Sequence, residues 1–256
     1  MTSVTDRIDR LVGEARDKVQ ALEHEWILFV RWTDLLLASW PVAAEQVRPL
    51  VPGGLDIDTF DNTAWLSIVP FNAVDMHFRD LPPIPGQADF CELNLRTYVR
   101  MGDVRAVFFL SLDCPGKLAD LIGAHLFDLP FKEARMQITP AGSGYHVDCQ
   151  RLPADGVSPA FVADYAPTGS AATPAAGTLE DFLTSRFTLF VGERSGRLLR
   201  ADIAHEPWMV QPATLSIEMN TFPHTAGLTL AGASPHALFA ASTDTLVYPP
   251  THVAFN

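Results

Sequence analysis

Along residues 5–25 (TDRIDRLVGEARDKVQALEHE) apolar side chains return at helical spacing. Ile8, Leu11, Val12, Ala15, Val19 and Leu22 share one stripe, and most other positions are charged. That pattern predicts an amphipathic helix. From Trp26 the period shortens into apolar or alternating runs separated by Pro, Gly, Asn and Asp, which predicts strands. Residues 41–50 read as a short helix ended by Pro52-Gly53-Gly54, and residues 55–60 and 64–71 as a hairpin around Asp61-Asn62. Residues 79–88 read as a proline-rich surface loop. The clearest strands are 91–100 and 105–113, after which Pro115 opens a helix to about residue 127. Further strand patterns cover 133–139, 145–152, 187–192, 196–205, 214–219 and 245–248, with a short helix at 178–183. The almost uncharged stretch 163–177 (ADYAPTGSAATPAAG) reads as a mobile loop.

Many strands and few helices predict an α+β fold: residues 1–25 as an added helix, 26–256 as one domain around a large curled antiparallel sheet. Composition narrows the function. With 48% hydrophobic and 19% charged residues, the chain has enough apolar surface to fold. A formal charge of −12 argues against nucleic acid as a partner. No apolar run approaches the ~20 residues of a membrane helix. Charge from Asp6 onward argues against a signal peptide, and three scattered cysteines against a disulfide framework, so a cytoplasmic protein is expected. Motifs for nucleotides, zinc and α/β-hydrolase chemistry are absent, and the eight histidines are dispersed. Neither a metal nor a cofactor is expected, which leaves a small molecule as the partner.

One constellation carries chemistry. In the strand pattern 91–100, a period of two puts Glu92, Asn94, Arg96 and Tyr98 on one face. In the next strand Ser111 and Asp113 share a face. Outside a sheet this is a solvated surface. Inside a curled one, Arg96 could hold a carboxylate substrate in two parallel hydrogen bonds, and Glu92, desolvated, could act as acid or base. His205 ends a strand pattern two residues before Pro207, either as a structural residue or as a proton carrier at the mouth of the sheet. Arg186 reads as a structural ion-pair arginine, and the tryptophans read as core.

The order of these segments resembles the YqjF-like family of bacterial proteins. The residues that carry the resemblance are Trp40-Pro41, Leu50-Val51-Pro52, the run from Phe90 to Val99, the run from Phe108 to Asp113, Leu129-Pro130-Phe131, Gly177-Thr178-Leu179, Arg186-Phe187 and the run from His205 to Trp208. The resemblance places the chain in the acetoacetate decarboxylase-like superfamily and implies a curled antiparallel β-barrel with a few outer helices. It also implies a pocket in which a lysine forms an imine with a ketone, activated by a second lysine. Here the nucleophile's position is taken by Phe131, only the neighbour survives as Lys132, and Glu92 matches a pocket glutamate. Three readings follow: acid–base lyase chemistry on a small keto or hydroxy acid through Glu92, Arg96 and His205; an imine-forming enzyme using Lys132 or Lys117; or a non-catalytic binder of an organic acid or apolar metabolite. Asn94, Ser111, Asp113 and Phe131 complete the expected binding set, and a homo-oligomer is the expected assembly.

Overall fold

The computed structural model describes residues 3–18, 24–80, 89–116, 131–152, 158–192, 197–230, 232 and 234–253. Strands dominate it: β1 (Leu28–Val42), β2 (Asp56–Ile57), β3 (Ala64–Phe78), β4 (Phe90–Met101), β5 (Val104–Cys114), β6 (Phe131–Ala141), β7 (Gly144–Arg151), β8 (Ala160–Pro167), β9 (Thr188–Gly192), β10 (Leu198–His205), β11 (Val210–Asn220), β12 (His236–Val247) and β13 (Thr251–His252). They belong to one 13-stranded sheet. The described helices are α1 (Val4–Lys18) and single turns at Ala44–Val47, Leu179–Thr184 and Phe222–Thr225, so the molecule is a mostly-sheet α+β protein. None of them is long and apolar enough to cross a membrane.

Strands β12, β1, β3, β4 and β5 pair in that order and form a wall. At both ends of the wall the sheet forks. The outer edge of β5 pairs with β9 at Val107 and Phe108, then with β6 from Leu112 to Cys114. The outer edge of β12 pairs with β11 from Leu238 to Ala240, then with β10 from Thr245 to Val247. Strands β9 and β10 pair with each other, and β6, β7, β8 and β11 pair in sequence. The pairings therefore close two circuits that share the wall, one above each face. Alternation along the strands divides the side chains between them. Leu93, Leu95 and Val99 of β4 enter one core with Trp40, Leu66, Phe161 and Phe239. Tyr98, Val107, Phe109 and Leu112 enter the other with Phe71, Val191 and Leu238.

Bulges shift that alternation. Between the pairs Arg96–Phe109 and Leu95–Ser111 the register slips, and Leu110 has no opposite residue. An inserted residue swaps the faces of everything after it. Ser111 and Asp113 accordingly join Leu93 and Leu95 on the larger circuit's face. There the fully buried Asp113 accepts from Arg151 Nε at 2.5 Å and Nη2 at 2.8 Å, and from Ser111 Oγ at 2.9 Å. A similar device in β1 puts Asp34 at φ 53°.

Several elements differ from their sequence patterns. Residues 163–167, expected in a loop, belong to β8, where Phe161, Ala163 and Tyr165 are buried at alternate positions. Their small and uncharged neighbours hide the strand pattern. The expected helix at 41–50 starts later, because Pro41 and Val42 end β1 opposite Trp65 and Ala64. The helix over 5–25 is described to Lys18, residues 24–27 are not helical, and the expected helix at 115–127 lies almost wholly outside the described residues. Helix α1 sets Ile8 and Leu11 against Phe29, Leu246 and Tyr248 behind the wall. Its buried Arg7 reaches Asp75 at 2.7 Å and Asp244 at 3.4 Å.

The Asp113–Arg151 pair makes a testable point. Asp113→Asn leaves the guanidinium without its charge partner and is expected to lower unfolding free energy by about 3–5 kcal/mol. Urea denaturation measures this; a loss below about 1 kcal/mol would contradict a structural role for the pair.

Candidate functional site

The smaller circuit, β1–β3–β4–β5–β9–β10–β12, is not filled. It encloses a cavity of about 140 Å³ to which all seven strands contribute, from Trp32 on β1 to Val247 on β12. Faces chosen by alternation decide the lining. Glu92, Asn94 and Arg96 point inward from β4, opposite Phe71, Val69 and Ser67 of β3. The bulge after Phe109 brings in Leu112 in place of Ser111. Most of the remaining wall is apolar, including Phe90, Phe109 and Phe131.

Glu92 has no basic partner among the described residues. Glu92 lines the cavity and is partly buried. Burial pushes its pKa up to about 8, the Asp113 carboxylate adds to the rise, and the hydrogen-bonding Asn94 amide opposes it. Arg96 is 7% exposed, and its Nη2 donates to the Leu183 carbonyl at 3.2 Å. Arg186 donates from Nη1 to Asp58 at 2.6 Å and from Nε to the Phe182 carbonyl at 2.8 Å. Burial, with Arg105 adding, lowers its pKa to about 10. His205 meets two main-chain carbonyls, Glu206 at 2.7 Å from Nδ1 and Arg186 at 3.1 Å from Nε2, and stacks on Phe187 with 4.6 Å between ring centres. A neutral imidazole can donate to only one of them. Four buried polar atoms on lining residues lack hydrogen-bond partners: Asn94 Oδ1, Arg96 Nε, Arg186 Nη2 and Trp208 Nε1.

Of the residues singled out in the sequence, Glu92, Asn94, Arg96, Phe131 and His205 meet around this one cavity. Ser111 and Asp113 do not, because the Leu110 bulge turns them to the opposite face of the wall, where Arg151 holds Asp113. Lys132 is exposed: it follows Phe131 on β6, and successive strand residues point to opposite sides. Lys117 lies outside the described residues. Arg186 and Trp208 also line the cavity, although the sequence placed them as an ion-pair residue and as core. Arg186 is both, since only one of its two terminal nitrogens engages Asp58. The proline stop after His205, which turns the chain at the cavity, was the signal available for Trp208.

The fold is that of the acetoacetate decarboxylase-like proteins. The chain is similar to the enduracididine biosynthesis enzyme MppR, solved in complex with pyruvate, at 12% identity and TM-score 0.63 over 93% of this chain and 95% of that one. It is also similar to an acetoacetate decarboxylase-like enzyme from Sphingomonas wittichii RW1, at 16% identity and TM-score 0.60 over 91% and 95%. Residues 30–244 match DUF2071, a family described as an uncharacterized conserved protein. An uncharacterized protein of Bacillus subtilis, YqjF, is 36% identical over 224 residues, 88% of this chain and 91% of that protein. The chain therefore belongs to the DUF2071 family.

The raised pKa of Glu92 makes stability depend on pH. Unfolded, the carboxyl loses its proton near 4.5; folded, it keeps it to about 8. Between those values the unfolded state binds fewer protons, so this group's contribution to stability is lost as pH rises, by about 1.4 kcal/mol per pH unit. Calorimetric unfolding of wild type and Glu92→Gln from acid to neutral pH measures this. The wild-type midpoint should fall relative to the variant's across that range; parallel curves would show that Glu92 is not desolvated.

Proposed function

We propose that this protein carries out acid–base chemistry on a small keto or hydroxy acid held in the cavity, with Glu92 moving the proton. The observation that carries the reading is a carboxyl that lines a largely apolar cavity with no basic partner among the described residues, so that burial raises its pKa. Groups tuned in this way concentrate at reactive sites. In this reading the smaller circuit is the working end of the curled barrel that the family resemblance implies. MppR, which shares the fold, was solved with a keto acid, pyruvate.

The chemistry uses both forms of one side chain. Ionised Glu92 takes a proton from the carbon beside the substrate carbonyl and leaves an enolate. Neutral Glu92 then returns that proton to carbon, or to a departing β-hydroxyl that leaves as water. A pKa of about 8 keeps both forms populated near neutral pH. Asn94 fixes the carboxyl by hydrogen bonding, Arg96 orients the substrate carboxylate, and His205, whose nitrogens meet carbonyls, positions the segment that carries Trp208. An imine is not part of the mechanism: Phe131 lines the cavity and Lys132 points away from it.

A second reading, binding without turnover, is favoured by the largely apolar wall. Proton NMR in heavy water separates the two by following exchange beside the carbonyl in a panel of keto acids. Wild type should exchange at least one of them, and Glu92→Gln should be slower by about 100-fold or more. Ligand binding with no exchange would leave the binder. Borohydride treatment with the same panel should leave the intact mass unchanged; an adduct lost in Lys132→Ala would restore lysine chemistry and overturn this mechanism.

A further inference from the structure

The two arginines of the cavity pose a charge problem that the acid–base reading leaves open. Arg96 and Arg186 are 7% and 3% exposed. Their guanidinium carbons stand 5.6 and 5.0 Å from the centre of the same Tyr98 ring, and both residues line the cavity. Among the described residues a single buried carboxylate, Asp58, serves this end, and it is shared by Arg186 and Arg105. Among the described residues no carboxylate pairs with Arg96. Aromatic faces, Tyr98 and Trp208 at 5.6 and 5.9 Å, give Arg96 some compensation. A cation–π contact is nevertheless small beside the cost of holding a charge away from water without a counter-ion. The unpartnered hydrogen-bond atoms here include three N–H donors: Arg96 Nε, Arg186 Nη2 and Trp208 Nε1. Excess positive charge on residues that line one cavity, with buried donors on the same residues left without partners, is the signature of an anion subsite.

The rest of the cavity limits what the anion belongs to. Along β4 the lining runs from Arg96 through Asn94 and Glu92 to Phe90, and beyond Phe90 it is apolar, with Leu28, Met76 and Phe131. An apolar cavity of ~150 Å³ can hold a benzene molecule. The present cavity, about 140 Å³, therefore has room for an apolar tail of about that size.

We infer that Arg96, Arg186 and Trp208 form a carboxylate subsite, and that the ligand is a monocarboxylic acid with a compact apolar tail, aliphatic or aryl, directed toward Phe90 and Phe131. The inference rests on the cavity being the working site and specifies which acids it takes. Asp58 and the Phe182 carbonyl hold Arg186 in place, so the subsite is built before any ligand arrives.

Calorimetric titration of the full chain with hexanoate, benzoate, acetate, hexanol and benzyl alcohol tests it. Hexanoate or benzoate should bind about 10- to 100-fold more tightly than the matching alcohol, the difference expected of charged hydrogen bonds. Acetate, which has no tail, should bind more weakly than either acid. Arg96→Gln should bring acid and alcohol to similar affinity while leaving the alcohol unchanged, a pattern that general unfolding cannot produce. Trp208→Phe keeps an aromatic ring, removes the N–H and should weaken the acids alone. Equal binding of acids and alcohols in wild type, equal loss of both in Arg96→Gln, acetate binding as well as hexanoate, or no binding by any acid would each overturn the inference. It is separable from the catalytic reading: acid selectivity without carbon-proton exchange leaves the subsite standing and removes the catalysis, and exchange without selectivity does the reverse.

Discussion

Strand β5 must satisfy two different neighbours along one edge, and much of the architecture depends on how it does so. Its first half hydrogen-bonds to β9 and its last residues to β6, with the Leu110 bulge lying between them. A regular strand would present one face to the cavity throughout. The extra residue lets the edge change partners and at the same point exchanges the faces. Leu112 goes into the cavity as a result, and Asp113 goes to the other side, where Arg151 neutralises it. Strand β12 forks in the same way, to β11 and then β10, so the shared wall carries a closed circuit of paired strands above each face.

The two circuits treat charge differently. Behind the wall and in the larger circuit, buried carboxylates have guanidinium partners: Asp113 has Arg151, and Asp244 has Arg7 and Arg31. Asp58, close to the cavity, has Arg186 and Arg105. Such pairs keep charge tolerable in a low-dielectric interior. Inside the smaller circuit that rule is broken twice among the described residues, by a carboxyl without a cation at Glu92 and a cation without a carboxylate at Arg96. Both sit on one strand, four residues apart, with Asn94 between them. Departures from local consistency of this kind mark positions kept for something other than stability. Here they frame a chamber whose remaining wall is largely apolar.

Much of this was legible in the chain. The period of two in β4 placed Glu92, Asn94 and Arg96 on one face, because alternation is a local property of an extended backbone. The amphipathic stripe of α1 was equally local, and the order of short segments sufficed for the family resemblance. That Phe131 stands where the resemblance implies an imine-forming lysine could be read without any structure, since an aromatic ring has no amine.

What the sequence could not decide was which side of each strand is the inside. Alternation gives two faces and does not say which is buried against what, and with two circuits on one wall both faces of β4 and β5 are buried. The bulge at Leu110 follows from β5 changing partners, a long-range demand with no local mark, so Ser111 and Asp113 looked equivalent to the site residues until the pairing was known. Arg186 and Trp208 come from segments distant in sequence and enter the cavity only because β9 and β10 close the smaller circuit. The chain alone determined the alternation and the helix stripe. Closure of the sheet on itself determined the cavity, because hydrogen-bonded partners far apart in sequence set the register, and the register sets which side chains share an interior.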